Sequence, residues 1–148
     1  MKGLLQRVSS ASVRVGDEVV GEIGVGLLVF LGLDKGDDQA TANRLLDKLL
    51  AYRVFADQTG RMNHSVADIQ GGVLLVSQFT LSADTGRGLR PSFSSALPPA
   101  EAEPLYNYVL NELRGRHTSV AAGRFGADMQ VSLTNDGPVT FLLECAAA

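Results

Sequence analysis

The sequence predicts an α+β domain: a mostly antiparallel, barrel-like sheet with two helices packed on it. Three observations lead there. Four apolar stretches have the length of strands, only two segments carry helical period, and those two lie far apart in the chain. The length of 148 residues suits one sizeable core, so residues 1–148 are expected to form a single domain.

The elements follow in chain order. Residues 4–8 and 12–15 flank the polar pair Ser9-Ser10, and residues 19–23 follow Gly16-Asp17, so the N-terminus reads as a meander of short strands. Residues 26–33 (GLLVFLGL) and 72–79 (GVLLVSQF) are nearly unbroken apolar runs, the pattern of strands buried on both faces. Between them Ala42, Leu45, Leu46, Leu49 and Leu50 form one helical stripe behind the acidic start Asp37-Asp38. A second stripe, Leu105, Tyr108, Val109 and Leu113, has Pro98-Pro99 before it and Gly115 placed to stop it. Residues 129–133 and 139–144 (VTFLLE) are the last strands, and NDGPVT at 135–140 joins them through residues that favour a hairpin turn. The one long irregular stretch, residues 82–97, is expected to be functional or mobile.

Composition narrows the function. Hydrophobic residues make up 45% and charged residues 20%, the balance of a soluble globular protein. No window approaches the roughly 18 apolar residues of a membrane span, and the start lacks the apolar centre of a secretory signal, which predicts a cytoplasmic protein with no membrane partner. Cys145, the single cysteine, agrees with a reducing compartment. A net charge of −3 argues against tracking a long nucleic-acid backbone, and no DNA partner is expected; a short contact is still compatible, since ten of the thirteen basic residues are Arg.

Several chemistries lack their residues. His64 and His117 are the only histidines, both read as surface residues, and no CxxC, HxxxH or HExxH spacing gathers metal ligands, so neither metal nor cofactor is expected. No GxSxG elbow supports a Ser-His-Asp triad, and the glycines at 24 and 26 precede a strand instead of opening a helix. Two segments stand out instead. Ser77, Gln78 and Thr80 put three hydrogen-bonding side chains around Phe79 where a buried strand enters the long loop, as either a local network or a ligand site. The second is Gly137-Pro138 in its turn.

Together these segments, SQFTL at 77–81 and NDGPVT at 135–140, resemble the signatures of the D-aminoacyl-tRNA deacylase family. LLQRVSSASVRV (4–15), RMNHSV (61–66), GLRPSF (88–93) and GRFGADMQVSL (123–133) resemble family segments in family order. Two departures are small: Arg87 stands where Lys is common, and His64 where an apolar residue is usual. The resemblance implies hydrolysis of the ester joining a D-amino acid to the 3′ end of tRNA, a proofreading reaction, by a homodimer whose active site crosses the subunit boundary. It assigns Ser77, Gln78, Phe79 and Thr80 to the wall of the catalytic pocket. Gly137-Pro138 becomes a cis peptide that filters chirality by reaching into the other subunit's pocket, with Arg7 bracing it. Phe125, Gly126 and Met129 correspond to the pocket for the terminal adenine. It also implies that the terminal 2′-hydroxyl assists attack by water, which explains why the sequence shows no base. A filter that works by clash has no means of rejecting glycine, so glycyl-tRNA is expected to be a substrate as well. The rival readings make Thr80 a nucleophile, the chain a nucleic-acid-binding module without hydrolysis, or the substrate an L-aminoacyl-tRNA.

Overall fold

The computed structural model describes residues 1–147. Its spine is β1 (Lys2–Val15), one continuous strand where two short ones were expected. The polar pair that suggested a break lies at an irregularity: the pairing of β1 with the last strand shifts register between Val8 and Ser10, and Ser9 and Ser10 are exposed. Polar residues facing water do not end a strand; they bulge it.

One edge of β1 pairs antiparallel with β2 (Glu18–Ile23) along Ala11 to Val15 and with β3 (Gly26–Gly32) along Lys2 to Val8. The N-terminus is therefore not a meander, because β2 and β3 both flank β1. Helix α1 (Gln39–Ala51) follows, then the small hairpin of β4 (Phe55–Ala56) and β5 (Met62–His64), neither foreseen from sequence. Strand β6 (Gly72–Ser77) pairs in parallel with β3, and the short β7 (Val120–Ala122) in parallel with β6. Helix α2 (Pro99–Arg116) lies between them in sequence. Strand β8 (Gln130–Glu144) covers the other edge of β1. At the far end β2 comes against β7: a Cβ on Gly21 would lie 2.5 Å from the Ala122 carbonyl oxygen, so the sheet nearly closes into a barrel.

The two unbroken apolar runs serve two cores. On β3, Leu27, Val29 and Leu31 face the helices, whereas Leu28 points into the barrel; on β6, Val73 and Leu75 face the helices while Leu74 and Val76 point inward. Strand alternation thus feeds both layers, so no polar position is left. Above, α1 buries Ala42, Leu45, Leu46 and Leu49 and is capped by Asp38, whose carboxylate accepts from the Thr41 amide at 2.9 Å.

Helix α2 does not stop at Gly115. It runs to Arg116, whose guanidinium donates to Asp47 (2.5 Å) and Asn43 (3.0 Å) of α1, so docking of the last turn outweighs the glycine. His117 caps the helix through its amide and is half-buried, not a free surface residue, with Nε2 2.6 Å from the Gly71 oxygen.

The hairpin expected at NDGPVT is absent. Thr140 stands opposite Gln6 and Asn135 opposite Val8, so both flanks pair with β1 in the same sense, and residues 136–139 bulge out of a single strand. Asn135 closes the bulge, its Oδ1 accepting from the Val139 amide at 2.8 Å and its Nδ2 donating to the Val139 oxygen at 3.3 Å. The turn-forming residues are used, but to extrude a loop and not to reverse the chain.

Candidate active site

A cavity of about 410 Å³ opens where β6 ends, between that end, the loop from β7 to β8, and α2. Strand β6 ends at Ser77, two residues earlier than the apolar run suggested, because Phe79–Ser82 turns into a 3₁₀ helix. The turn is held close to β3. Gln78 donates its amide to the Leu31 oxygen at 2.8 Å, the Ser82 hydroxyl donates to the Leu33 oxygen at 3.1 Å, and a Cβ on Gly32 would sit 2.8 Å from the Leu81 Cβ. Only a glycine permits that approach.

Of the residues singled out in sequence, Ser77, Gln78, Phe79, Phe125, Gly126 and Met129 line this one cavity. Segments about fifty positions apart thus converge on a single space. Thr80 does not line it; it is exposed, and its hydroxyl accepts a hydrogen bond from the Gln78 side chain. No His or Lys contacts that hydroxyl among the described residues. Among the described residues the amides of Phe79 and Thr80, the first two of the 3₁₀ helix, donate to no acceptor, as expected of the first N–H groups of a helix.

The opposite wall follows from a tight turn. Gly126 takes φ +76°, and the Met129 sulfur accepts from the Arg124 amide at 3.4 Å, which folds residues 124–129 back on themselves. A Cβ on Gly123 would meet that sulfur at 2.7 Å. Phe125 packs on Tyr106 of α2 with ring centroids 5.5 Å apart. Tyr106 was missed in sequence. The signal was present, since Ala102, Tyr106, Val109 and Leu113 share the buried face of α2, but Tyr108 drew attention to a neighbouring stripe. Tyr106 is 2% exposed, and burial pushes its hydroxyl up to about 12; its bond to the Leu75 oxygen is long, 3.5 Å. Apart from Ser77, Gln78 and Tyr106 the lining is mostly apolar, and Asp128 contributes its one carboxylate. Among the described residues, no three His, Cys, Asp or Glu side chains are gathered closely enough to hold a metal ion.

Gly137, Pro138 and Arg7 lie elsewhere and do not line the cavity of their own chain. They are brought together with one another. Arg7 donates through Nε to the Asp136 oxygen at 2.9 Å and through a terminal nitrogen to the Val54 oxygen at 2.7 Å, tying the extruded loop to the body. The Gly137-Pro138 bond is cis, and both residues are exposed. A Cβ on Gly137 would lie 2.5 Å from the Val139 nitrogen and 2.6 Å from its Cγ2, so no larger residue fits without moving the loop.

The chain is similar to known proteins over nearly its whole length. A family model described as D-Tyr-tRNA(Tyr) deacylase matches residues 4–144. A D-aminoacyl-tRNA deacylase of Stutzerimonas stutzeri (strain A1501) is 65% identical over 97% of this chain and 99% of its own. One from Cellvibrio japonicus (strain Ueda107) is 62% identical over the same shares. Among solved structures, a c-Myc DNA unwinding element binding protein superposes with a TM-score of 0.95 at 43% identity, covering 99% of this chain and 100% of its own. A probable eukaryotic D-amino acid tRNA deacylase shares the fold with a TM-score of 0.80 at 17% identity, covering 96% of this chain and 97% of its own.

Proposed function

The chain belongs to the D-Tyr-tRNA(Tyr) deacylase family, and we infer from that membership that it is a D-aminoacyl-tRNA deacylase, a hydrolase acting on the tRNA ester. The observation that carries the site assignment is the convergence of SQFTL and residues 125–129 on one cavity. The end between Phe125, Gly126 and Met129 holds the terminal adenine. Ser77, Gln78 and Phe79 form the wall along which the ester lies.

The chemistry runs on position more than on reactive side chains. Water adds to the ester carbonyl carbon, the bond to the ribose oxygen breaks, and that oxygen leaves with a proton. The neighbouring 2′-hydroxyl of the terminal ribose relays the proton, which suits a wall without a His or Lys. The unengaged amide of Phe79, a residue that lines the cavity, is the available donor for the negative charge that develops on the carbonyl oxygen, and a donor already in place lowers the barrier without reorganisation.

Chirality is read by backbone. The loop at Gly137-Pro138 is exposed, braced by Arg7, and remote from its own chain's cavity, which suits delivery to a second subunit. In a homodimer, the partner subunit's Gly137 and the partner subunit's Pro138 close around the substrate's α-carbon. They leave space for hydrogen alone on one side, so an L side chain collides and a D side chain points outward. Glycine, with hydrogen on both sides, is not rejected.

The test is release of tyrosine from D-Tyr-tRNA by dilute protein, compared with the same ester on a tRNA ending in 2′-deoxyadenosine. Rapid release from the first and release at least about a hundredfold slower from the second are expected, the usual range for loss of a positioned proton relay. Equal rates would remove the 2′-hydroxyl from the mechanism, and no release from either would remove the activity.

A further inference from the structure

The mouth of the cavity continues past Phe79 onto residues that the ester chemistry does not use. Phe79 lines the cavity yet is 63% exposed, and its ring leans on that of Phe93, itself 41% exposed, with centroids 5.1 Å apart. Two large aromatic rings side by side in water are uncommon on a chain of this size. The loop that carries Phe93 is not slack. Asp84 and Ser92 exchange two backbone hydrogen bonds of 2.7 and 2.9 Å, the Asp84 carboxylate accepts from the Gly86 amide at 2.8 Å, and Gly88 takes φ +64° at the tip.

That ordered loop presents Arg87, Leu89 and Arg90 to solvent, Leu89 being fully exposed. Among the described residues neither guanidinium meets a carboxylate, so both charges are available to an anion. Exposed rings flanked by free arginines form a platform for unpaired bases, which stack on the rings while their phosphates meet the cations.

We propose that this patch seats the single-stranded RNA leading into the terminal adenosine: the penultimate base stacks on the Phe79–Phe93 pair, and Arg87 and Arg90 meet the phosphates behind it. The proposal rests on the deacylase reading. Continuity of the patch with the cavity favours this occupant, since a strand whose last nucleotide enters the cavity must cross its rim. A short contact of this kind also suits a chain of net charge −3, which has few cations to spare.

The experiment compares three D-tyrosyl esters, on tRNA, on the trinucleotide CCA and on adenosine alone, with wild type, Phe93→Ala and the double variant Arg87→Ala/Arg90→Ala. Each variant is expected to lose about tenfold in kcat/KM on tRNA and CCA, the lower part of the range for one stacked base, and to match wild type on the adenosine ester. In parallel, binding of uncharged, dye-labelled CCA is titrated against salt, and the log–log slope is expected to fall by roughly 0.7 per arginine removed. Equal losses on all three esters, or none, would overturn the proposal. So would a Phe93→Ala protein that becomes smaller in light scattering, because a second copy of the chain would then be the occupant. Failure of wild type to cleave any ester would strike the deacylase reading instead, and the CCA titration would still decide the patch.

Discussion

Arg7 links the extruded loop to the body by two hydrogen bonds to backbone oxygens, those of Asp136 and Val54. Arg7→Ala leaves both acceptors without their donor, at a cost of about 1 kcal/mol that falls chiefly on the partly buried Val54 oxygen, since the exposed Asp136 oxygen can take water instead. If the loop is the chirality filter, the loss appears chiefly as catalysis: a fall in kcat/KM on D-Tyr-tRNA of more than about tenfold, with the melting temperature lowered by only a few degrees. Arg7→Lys is expected to recover little, since a single ammonium cannot reach both oxygens as the fork does. Thr80 gives the opposite expectation. Its hydroxyl is engaged by Gln78 and by no base, so Thr80→Ala is expected to keep most of the activity. An acyl-enzyme trapped on Thr80, or inactivation of a folded Thr80→Ala protein, would restore the nucleophile reading.

At the scale of elements, α2 supports the cavity wall through Tyr106. The Tyr106 hydroxyl, pushed up by burial from 10.0 to about 12, is protonated in the folded protein where the unfolded chain would ionise. Its contribution is therefore complete below pH about 10 and is lost as pH rises from there through about 12. Tyr106→Phe removes only a long hydrogen bond, so stability at pH 7 is expected to change by less than about 1 kcal/mol while the alkaline loss is reduced. Denaturant midpoints from pH 7 to 12 for both proteins check this; parallel curves would contradict it. The elements also show what sequence could and could not carry. The runs at 26–33 and 72–79 were legible because burial on both faces erases polarity, and the stripe of α1 because its period is unbroken. The hairpin at 135–140 was misread because turn chemistry reports a bend without saying what the flanks pair with. That information lies in β1, more than a hundred residues away. Tyr106 was hidden because a side chain lining a cavity follows the same period as one in the core.

At the scale of the molecule, the cavity and the loop at Gly137-Pro138 are complete within one chain but separated, and β8 is open. It runs for fifteen residues, pairs only with β1 among the described residues, and exposes Leu133 and Leu142. An uncovered edge of that length is a template for association. A two-fold dimer, in which each cavity receives the other subunit's loop, is the arrangement expected from light scattering at working concentration. A monomer with full chiral selectivity would refute it. Ser77, Gln78 and Thr80 stood out as polar side chains at the end of a buried strand, whereas Phe125, Gly126, Met129 and the role of Arg7 were legible only through resemblance. Spacing in sequence placed Ser77 and Phe125 in different segments, and only the fold brings them to one cavity.

The central claim is that backbone, not a side-chain pocket, decides which esters are cleaved. It is tested most directly by measuring kcat/KM for D-Tyr-tRNA, L-Tyr-tRNA and Gly-tRNA under one set of conditions. Exclusion by clash at the α-carbon predicts strong cleavage of the first and third and none of the second. Resistance of Gly-tRNA alongside cleavage of D-Tyr-tRNA would contradict it, because the site would then be recognising a side chain that the account says it ignores.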